Sequence, residues 1–401
     1  MVVSPSSAKP SASWSAVLAL SLVAFALVAS EFMPVSLLTP IAQELGISEG
    51  RAGQGIAVSG LFALVSSLLT AAIAARVARK PLLLALVLLM VLSGTLVALA
   101  PGFMLFMLGR ALLGVVIGGF WSLSAATALQ LVPSHRVPRA LAIVNGGNAL
   151  ATVIAAPLGS FLGGLIGWRG AFFCIVPVAV LAWVWLQFSL PRLPATSRAA
   201  ATRPLALLGK APVALGMTAV DLFFMGQFTL FTYLRPFLEN VTGVHDSLLS
   251  LMLLILGVTG LAGTLLVERW LHRGLYRTLA AIALLMSLLA LALVCFGHSL
   301  VATAVLLGLW GAVATAAPAG WWTWLARTLP DDAEAGGGLM VAVVQLAITL
   351  GATVGGWVFD AGGYRPTFEL SAALLGSATL LAMGTGRAAH REALRHDLRL
   401  T

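Results

Sequence analysis

Long apolar stretches separated by short polar turns run along the whole chain. Each apolar stretch is long enough for one helix to cross the roughly 30 Å hydrocarbon core of a bilayer. The pattern therefore predicts an all-α membrane protein with twelve transmembrane helices. Turn residues and charges place the predicted spans at 14–38, 51–75, 81–100, 103–131, 139–165, 168–190, 211–238, 246–268, 275–297, 300–328, 335–360 and 366–387.

The two halves of the chain repeat each other at a spacing of about 196 residues. This shift brings Pro40 onto Pro236 and Gly159 onto Gly355. The longest polar interruption is rich in Pro, Arg, Ser and Thr, as expected of a linker. We therefore expect two pseudo-symmetric six-helix halves, 14–190 and 211–387, joined by a cytoplasmic linker at 191–210 and flanked by an N-terminal tail of 1–13 and a basic tail of 388–401.

Basic residues are concentrated in alternate turns between the predicted spans. If the N-terminus is cytoplasmic, eighteen of the 23 lysines and arginines also lie on the cytoplasmic side. The positive-inside rule then predicts a multi-pass protein of the bacterial inner membrane with both termini in the cytoplasm. The net charge of +9 reflects this topology and does not indicate a nucleic acid partner, because the basic residues form no patch with interleaved aromatics.

Composition excludes several classes of protein. With 60% hydrophobic residues, 9% charged residues and a mean hydropathy of +1.02, the chain does not suit a water-soluble fold. Cys174 and Cys295 lie in apolar runs without a CxxC pattern, so we interpret them as packing residues, and we expect no metal site. Without a Walker A sequence, a nucleotide-binding GxGxxG, an HExxH or an evident nucleophile and base, we expect no cofactor, no ATP-driven pumping and no enzyme activity.

The first apolar segment also resembles the hydrophobic region of a secretory signal peptide, since residues 15–30 end in small residues. Only Lys9 precedes it, however, and the apolar run continues past Glu31 to Leu38. The later half of the chain contains a matching segment. We therefore predict a retained first span.

Three ionisable residues fall deep within predicted spans, namely Glu31, Arg110 and Asp221. A charge at mid-bilayer costs at least about 2.5–3.5 kcal/mol, so such residues usually face an interior cavity and have a partner. At a rise of about 1.5 Å per residue, Glu31 is about 25 Å from Trp14 and Arg110 about 14 Å from Pro101. We interpret Glu31 and Arg110 as a proton-coupling pair in which substrate competes for the arginine. The alternative is a permanent ion pair that holds spans one and four together.

Asp221 is a third candidate for proton coupling. It lies about 16 Å from Lys210 along span seven. The repeat aligns it with Phe25, whereas Glu31 aligns with Gln227. An acid at this position is therefore not required by the duplication, and a role in coupling or in substrate binding stays open.

A proline stands close to Glu31 in the first span. Pro34 has no N–H group, so the carbonyl of Ser30 loses its helical hydrogen-bond donor. We expect a local kink beside Glu31.

Amide and aromatic side chains recur in the spans of both halves. Amides beside aromatic planes suit a flat, neutral, polar solute, whose faces stack while its edge forms hydrogen bonds. The polar residues also suit contacts between helices, and tryptophans near a span end also suit the interfacial belt, so these alternatives stay open. The candidate substrate-binding residues are Trp121, Asn145, Asn148, Gln227, Phe231, Tyr233, Trp321, Trp322 and Gln345.

Small residues form a stripe in span four. Arg110, Gly114 and Gly118 recur at intervals of four residues and therefore share one helix face. The two glycines predict a close approach of a neighbouring helix.

Two of these segments resemble motifs of the major facilitator superfamily. Residues 108–114, LGRALLG, resemble its span-four motif, whose arginine is implicated in proton coupling. The span-five segment resembles the motif of the drug:proton antiporter branch, with Ala156 where a glycine is common. The resemblance implies the major facilitator fold. It also implies that the structural residues of the antiporter motif are Pro157, Gly159 and Gly163.

The turn between spans two and three follows the superfamily pattern only in part. Residues 75–80, ARVARK, keep the basic residues of the loop signature. Ala75 and Ala78 replace the usual aspartate and glycine. The charge relay that this loop usually provides between the halves is therefore not expected here in its usual form.

Several further runs are particular to one group within this branch, namely 31–40, 118–122, 156–163, 226–228, 231–233 and 320–324. They resemble bacterial purine ribonucleoside efflux pumps, and the likeness covers almost the entire chain. It implies export of inosine- or guanosine-like nucleosides in exchange for protons, and we expect the protein to act as a monomer. Sugar or multidrug efflux by the same mechanism stays open, as does a membrane receptor that binds a ligand without moving it.

Overall fold

The computed structural model describes residues 13–74, 76–193, 204–330 and 332–400. The predicted N-terminal tail therefore lies outside the described residues except for Ser13, as do Ala75 and most of the predicted linker. In the last helix, side chains are described as far as Ala388.

The described residues fold almost entirely into α-helices. An apolar segment of this length crosses a bilayer as a helix, because its backbone N–H and C=O groups must form their hydrogen bonds within the segment itself. The helices are α1 (Trp14–Leu45), α2 (Glu49–Ala74), α3 (Arg79–Ala98), α4 (Phe103–Leu131), α5 (Val137–Phe173), α6 (Ile175–Ser189), α7 (Ala211–Phe231), α8 (Leu234–Asn240), α9 (Asp246–Arg273), α10 (Leu275–Phe296), α11 (Leu300–Thr328), α12 (Ala333–Gly362) and α13 (Tyr364–Leu400).

Among the described residues, eleven helical stretches are long and apolar enough to span a membrane. One of them, Val137–Ser189, has 53 residues and covers two predicted spans. The chain reverses within it at Gly167, whose φ of 74° and ψ of 165° are not helical. A positive φ costs glycine little because it has no β-carbon. The turn at Gly167 divides this stretch into two crossings, so the eleven stretches correspond to the twelve predicted spans.

Several helix ends differ from the predicted spans. α1 continues through Pro34 and Pro40 to Leu45, where Gly46 ends it in a left-handed conformation. Span seven is divided into α7 and the short α8. α13 continues to Leu400 through the region predicted as a basic tail. Residues 388–400 contain neither proline nor glycine and include three residues each of Ala, Leu and Arg, all of which favour helix.

The helix ends form two opposite levels of the bundle. At one level, the Ser13 amide donates to the carbonyl of Leu131 at 3.0 Å, and Lys80 Nζ donates to the carbonyl of Leu190 at 2.7 Å. We call this level the linker end, because it holds the residues on both sides of the linker. At the opposite level, called the far end, Arg169 Nη2 donates to the carbonyl of Ala100 at 2.6 Å.

Glycines bring helices together within the first half. A β-carbon on Gly114 would lie 2.3 Å from the Ser59 carbonyl oxygen, and one on Gly118 would lie 2.2 Å from that of Ala63. The predicted stripe in span four therefore packs against α2, and the close approach is confirmed.

The second half repeats this packing between α9 and α11. A β-carbon on Gly263 would lie 1.8 Å from the Ala312 carbonyl oxygen, and one on Gly311 would lie 2.1 Å from that of Leu256. The corresponding helices of the two halves thus pack in the same way. The halves meet where α2 runs along α12 and α5 runs along α9.

Candidate substrate and proton-coupling site

Arg110 is fully buried where α1, α2 and α4 meet. Its Nε donates to the Gly55 carbonyl at 3.0 Å and its Nη1 to the Ser30 carbonyl at 2.8 Å. Its Nη2 donates to Ser59 Oγ at 2.8 Å and more weakly to the Glu31 carbonyl at 3.4 Å. Because these bonds hold the planar guanidinium from several sides, its positive charge is fixed in position.

The Ser30 carbonyl is available to Arg110 because of Pro34. Proline cannot donate to the carbonyl four residues before it, and α1 nevertheless remains helical through this position. The predicted loss of the helical donor to Ser30 is therefore accompanied by a replacement donor from α4.

The second proline of α1 provides another free carbonyl. Pro40 leaves the Ser36 carbonyl without its helical donor, and Arg235 Nη1 donates to it from α8 of the other half. Arg235 Nε also donates to Glu239 at 2.7 Å. One helix thus binds an arginine from its own half at Ser30 and an arginine from the opposite half at Ser36.

The carboxylate of Glu31 is buried beside the fixed guanidinium and interacts with it electrostatically. Among the described residues, no direct ion pair joins Glu31 to Arg110, because backbone carbonyls and Ser59 take up the guanidinium. The side chain of Gln345 from α12 lies beside the carboxylate and interacts with it. Glu31 therefore lies where the two halves meet.

Three acceptor oxygens near the middle of the bundle have no hydrogen-bond partner within the described part of the chain. They are Gln345 Oε1, Gln227 Oε1 and Asp221 Oδ1. A buried acceptor without a donor is costly, so these atoms favour a ligand that supplies N–H or O–H groups. Neither a hydrogen bond nor an ion pair joins Asp221 to Glu31 or Arg110 in the described residues, so the structure does not bring the three predicted charges into one cluster.

Three phenylalanines connect the halves next to Glu31. The ring of Phe32 lies 6.1 Å from that of Phe228 and 6.2 Å from that of Phe231, and the latter two are 6.0 Å apart. Phe228 is buried, whereas Phe32 and Phe231 are half-buried. We call these residues the aromatic bridge. Its partly open rings and the nearby amide oxygens provide the two kinds of contact that a planar heterocycle requires.

A row of polar residues on α12 contacts α2 on the far side of Glu31. Thr349 Oγ1 donates to the Ala57 carbonyl at 3.2 Å, and Thr353 Oγ1 donates to Gln54 Oε1 at 3.3 Å. Thr349 and Thr353 follow Gln345 at intervals of four residues, so all three share one face of α12. We call this row, together with Asp360, the polar seam.

Asp360 ends the polar seam at the far end. Its carboxylate accepts from Ser48 Oγ at 2.6 Å and from the backbone N–H of Gly50 at 2.9 Å. α2 begins at Glu49, so an acid of the second half caps a helix of the first half. The hydrogen bonds that join α1 and α2 to α8 and α12 lie at the level of Glu31 or on its far-end side. We call this group of contacts the far-end closure.

Comparison with known proteins agrees with this architecture. Residues 20–336 match the sequence model of the family described as Major Facilitator Superfamily. This chain belongs to the Major Facilitator Superfamily. It is therefore a membrane transporter by family, and the predicted fold is confirmed.

Two curated relatives cover nearly the whole chain. The transcription regulatory protein OpdE of Pseudomonas aeruginosa is 59% identical over 381 residues, which are 94% of this chain and 95% of the relative. The purine ribonucleoside efflux pump NepI of Salmonella paratyphi B is 42% identical over 362 residues, or 90% and 91% of the two chains. The resemblance to the purine ribonucleoside efflux pumps is confirmed.

Solved structures of transporters share the fold. A bacterial homolog of the human lysosomal transporter Spinster, in an inward-facing and unoccupied conformation, gives a TM-score of 0.76 at 15% identity and covers 95% of this chain and 98% of its own. The human organic anion transporter MFSD10 (TETRAN) gives 0.64 at 19% identity and covers 92% and 98%.

In this superfamily member, the predicted antiporter motif packs α5 against the helix that carries Glu31. Pro157 is buried within α5. A β-carbon on Gly159 would lie 2.6 Å from Ser36 Oγ, and one on Gly163 would lie 2.4 Å from Leu37 Cδ2. The motif thus sets the position of α1.

Two residues of the basic loop after α2 form hydrogen bonds within their own half. Arg79 Nη1 donates to the Ala126 carbonyl at 2.5 Å, and Lys80 Nζ donates to the Gln187 carbonyl at 2.7 Å. These contacts tie α3 to α4 and α6.

Tyr233, a predicted substrate residue, lies in the far-end closure. Its hydroxyl donates to the Ala352 carbonyl at 2.7 Å, and its ring stacks on Phe359 at 5.0 Å. A β-carbon on Gly53 would lie 2.3 Å from the same hydroxyl. The structure therefore places Tyr233 in contacts between the halves and away from the aromatic bridge.

The predicted tryptophans separate into two environments. Trp321 is buried, with its ring 6.3 Å from Phe223 and 6.0 Å from Trp324. Trp322 is 47% exposed. The two neighbours thus divide between core packing and an exposed position.

The predicted residues of the first half lie towards the linker end from Glu31. Trp121 is half-buried, with its ring 5.4 Å from that of Phe120. Asn148 is half-buried and Asn145 is exposed, both in the part of α5 that begins at the linker end. Trp121 packs against the same buried cluster as Phe32 of the aromatic bridge, formed by Val28, Ala29, Ala151 and Ala155.

Sequence reasoning did not assign roles to Phe32, Phe228, Ser59 or Asp360. Phe32 follows the predicted acid directly, so adjacency was an available signal for it. Asp360 ends an apolar span beside two glycines, which marks it as a helix-end acid, but its partner in α2 lies about 310 residues away in sequence.

Proposed function

We propose that this transporter exports purine ribonucleosides such as inosine or guanosine from the cell in exchange for protons, by alternating access. The observation that carries the proposal is the meeting of Glu31 and Gln345 between the halves, beside the aromatic bridge. A purine stacks on the partly open rings of Phe32 and Phe231, and its N–H groups reach the free oxygens of Gln345 and Gln227. The 42% identity to purine ribonucleoside efflux pumps supports this substrate class.

Proton coupling follows from the chemistry of the Glu31 contact. An ionised carboxylate accepts from the amide N–H of Gln345, whereas a protonated carboxyl donates and requires the amide oxygen. Protonation or deprotonation of Glu31 therefore changes whether the Gln345 amide of α12 must donate to, or accept from, the carboxyl group on α1. Arg110 stays bound to backbone carbonyls during this change, so its charge remains beside Glu31 and beside any substrate that competes for it.

The linker end faces the cytoplasm in this proposal, with both termini inside the bacterial inner membrane, in agreement with the positive-inside rule. The far-end closure then blocks the periplasmic side, and the site accepts substrate from the cytoplasm. One chain contains Glu31, Arg110, Gln345 and the aromatic bridge, so we propose that the monomer is active.

Transport of labelled inosine into inside-out vesicles with an acid interior tests the proposal. We expect accumulation by the wild type that is lost when the proton gradient is collapsed, and no gradient-driven accumulation by Glu31→Gln. Glu369→Gln, which changes an exposed acid paired with Arg365, is the control and should transport normally. Inosine accumulation that is unchanged when the proton gradient is collapsed would contradict antiport. Stronger competition by pentoses or drugs than by guanosine would favour the sugar or multidrug alternative.

A second candidate function is that of a membrane receptor that binds a ligand without moving it. The 59% identical relative is named a transcription regulatory protein, which is the observation that favours it. Inosine binding by the purified protein without flux in proteoliposomes would support this function. Transcript profiles of a deletion strain complemented with wild type or with Glu31→Gln add a second measurement. Equal restoration by both would separate regulation from coupled transport.

A further inference from the structure

We infer that a cleft at the linker end of the second half binds the phosphate headgroup of an anionic phospholipid. The cleft has a volume of about 550 Å³ and lies between the start of α10 and the Met383–Arg387 stretch of α13. Three arginines line it, namely Arg273, Arg277 and Arg387, together with Tyr276. It is separate from the transport site and does not depend on the proposed function.

The three arginines of the cleft are all exposed, and no ion pair joins them to a carboxylate within the described part of the chain. Arg327 adds a fourth positive charge close to Tyr276. Guanidinium groups bind phosphate oxygens through paired N–H donors, so this arrangement selects a phosphate group.

The first turn of α10 contributes further donors. α10 begins at Leu275 and has 22 residues, and its N-cap residue Gly274 provides no side-chain cap. The first N–H groups of a helix have no partner within the helix and favour an anion. Gly274 and Leu275 also line the cleft, so the first N–H groups of α10 and the three arginines are available to the same bound anion.

Apolar surface next to the cleft distinguishes a lipid from a soluble phosphate. α10 and α13 pack together and run in opposite directions, so both lead from the cleft towards the middle of the bilayer. α13 exposes Met383 and Leu380 beyond Arg387, and α10 exposes Leu284 and Leu288 beyond Arg277. The acyl chains of a lipid pack against these apolar side chains, whereas a free phosphate ion makes no apolar contact with them. Basic pockets between helices at this level of a membrane protein suit anionic headgroups.

Binding of phosphatidylglycerol, with phosphatidylcholine as the neutral comparison, tests this inference on the full-length purified protein by native mass spectrometry. We expect the wild type to retain phosphatidylglycerol preferentially. The double variant Arg277→Gln/Arg387→Gln should weaken this preference by about fivefold per arginine. The control Arg76→Gln/Arg192→Gln removes two exposed arginines from the linker end of the first half and should leave the preference unchanged.

Two results would overturn the inference. An equal loss of preference in both double variants would mean that total charge attracts the lipid without a specific site. Displacement of the bound lipid by millimolar inorganic phosphate would mean that the cleft is a site for a soluble phosphate.

Discussion

Arg110 Nη1 donates to the carbonyl oxygen of Ser30 at 2.8 Å, one turn of α1 before Pro34. A buried arginine normally requires a carboxylate partner, because an unpaired charge at this depth is costly. Here Pro34 frees the backbone carbonyl of Ser30, which accepts a hydrogen bond from Arg110 where a carboxylate would otherwise be needed. The neighbouring carboxylate of Glu31 is thereby left available to Gln345 and to a proton.

Pro34→Ala tests whether the freed carbonyl matters for transport. The new amide at position 34 can donate to Ser30 and compete with Arg110, so we expect gradient-driven inosine transport to fall about tenfold, the loss that corresponds to one hydrogen bond of a charged group. The thermal midpoint should stay the same or rise, because the helix gains a hydrogen bond. Transport in proteoliposomes and Tm measured on the same preparation check both expectations.

The control for this prediction is Pro318→Ala in α11. It restores a helical donor in the same way, but no arginine in the described residues binds the carbonyl of Ala314 that it would engage. Equal loss of transport in both variants would show that proline flexibility, and not the Arg110 contact, is what the transporter needs.

The free Ser30 carbonyl was predictable from sequence because it follows from a local rule about proline and the residue four positions earlier. The number of spans and the two halves were predictable for a similar reason, since apolar length and charge position act locally. The division of span seven into α7 and α8, and the continuation of α13 to Leu400, were not predicted from hydropathy, which does not mark helix breaks.

The contacts of the site were less accessible from sequence. Gln345 was predicted as a substrate residue, but its contact with Glu31 depends on how the two halves dock. Trp321 and Trp322 are neighbours with the same chemistry, and the orientation of each side chain around α11 determines that one is buried and the other exposed. Tyr233 was assigned to the substrate for its chemistry, whereas its position depends on α12.

Asp360→Ala should weaken the closure at the far end. It removes two hydrogen bonds to the start of α2, and one or two bonds of a charged group shift a two-state equilibrium by about tenfold or more. We expect faster labelling by a membrane-impermeant maleimide of a cysteine placed at Ala57, which is buried on α2 against the polar seam. Serine replaces Cys174 and Cys295 in this background.

The matched control for the labelling experiment is Glu369→Ala, which removes an exposed acid from the far end of the same half without breaking a contact between the halves. The labelling rate should then be that of the parent. An unchanged rate in Asp360→Ala would mean that this cap does not hold the halves together.

Phe231→Leu should raise the KM for inosine about tenfold, because stacking of a base on an aromatic ring contributes about 1–3 kcal/mol. Weak competition by free ribose should not change, since ribose has no base to stack. Phe188→Leu is the control, because Phe188 is 85% exposed on the membrane-facing surface. If both variants keep the wild-type KM, the aromatic bridge does not bind the base.

Gly147→Ala should destabilise the contact between α1 and α5, which positions Glu31. A β-carbon at this position would lie 2.0 Å from the backbone oxygen of Ser21, and a backbone atom cannot move aside without separating the helices. Overpacking of this kind costs about 1–3 kcal/mol. We therefore expect a Tm lower by about 5 °C, together with reduced transport.

Gly146→Ala provides a control at the adjacent residue, because a β-carbon there meets nothing within 4 Å. Alanine also favours helix over glycine by about 1 kcal/mol, so the Tm should be unchanged or raised. Both variants add the same methyl group to the same turn of α5, and they differ only in whether it faces α1. A similar loss of stability in both would mean that the cost arises from the backbone of α5, and the close approach to Ser21 would then not be what fixes the helix of Glu31.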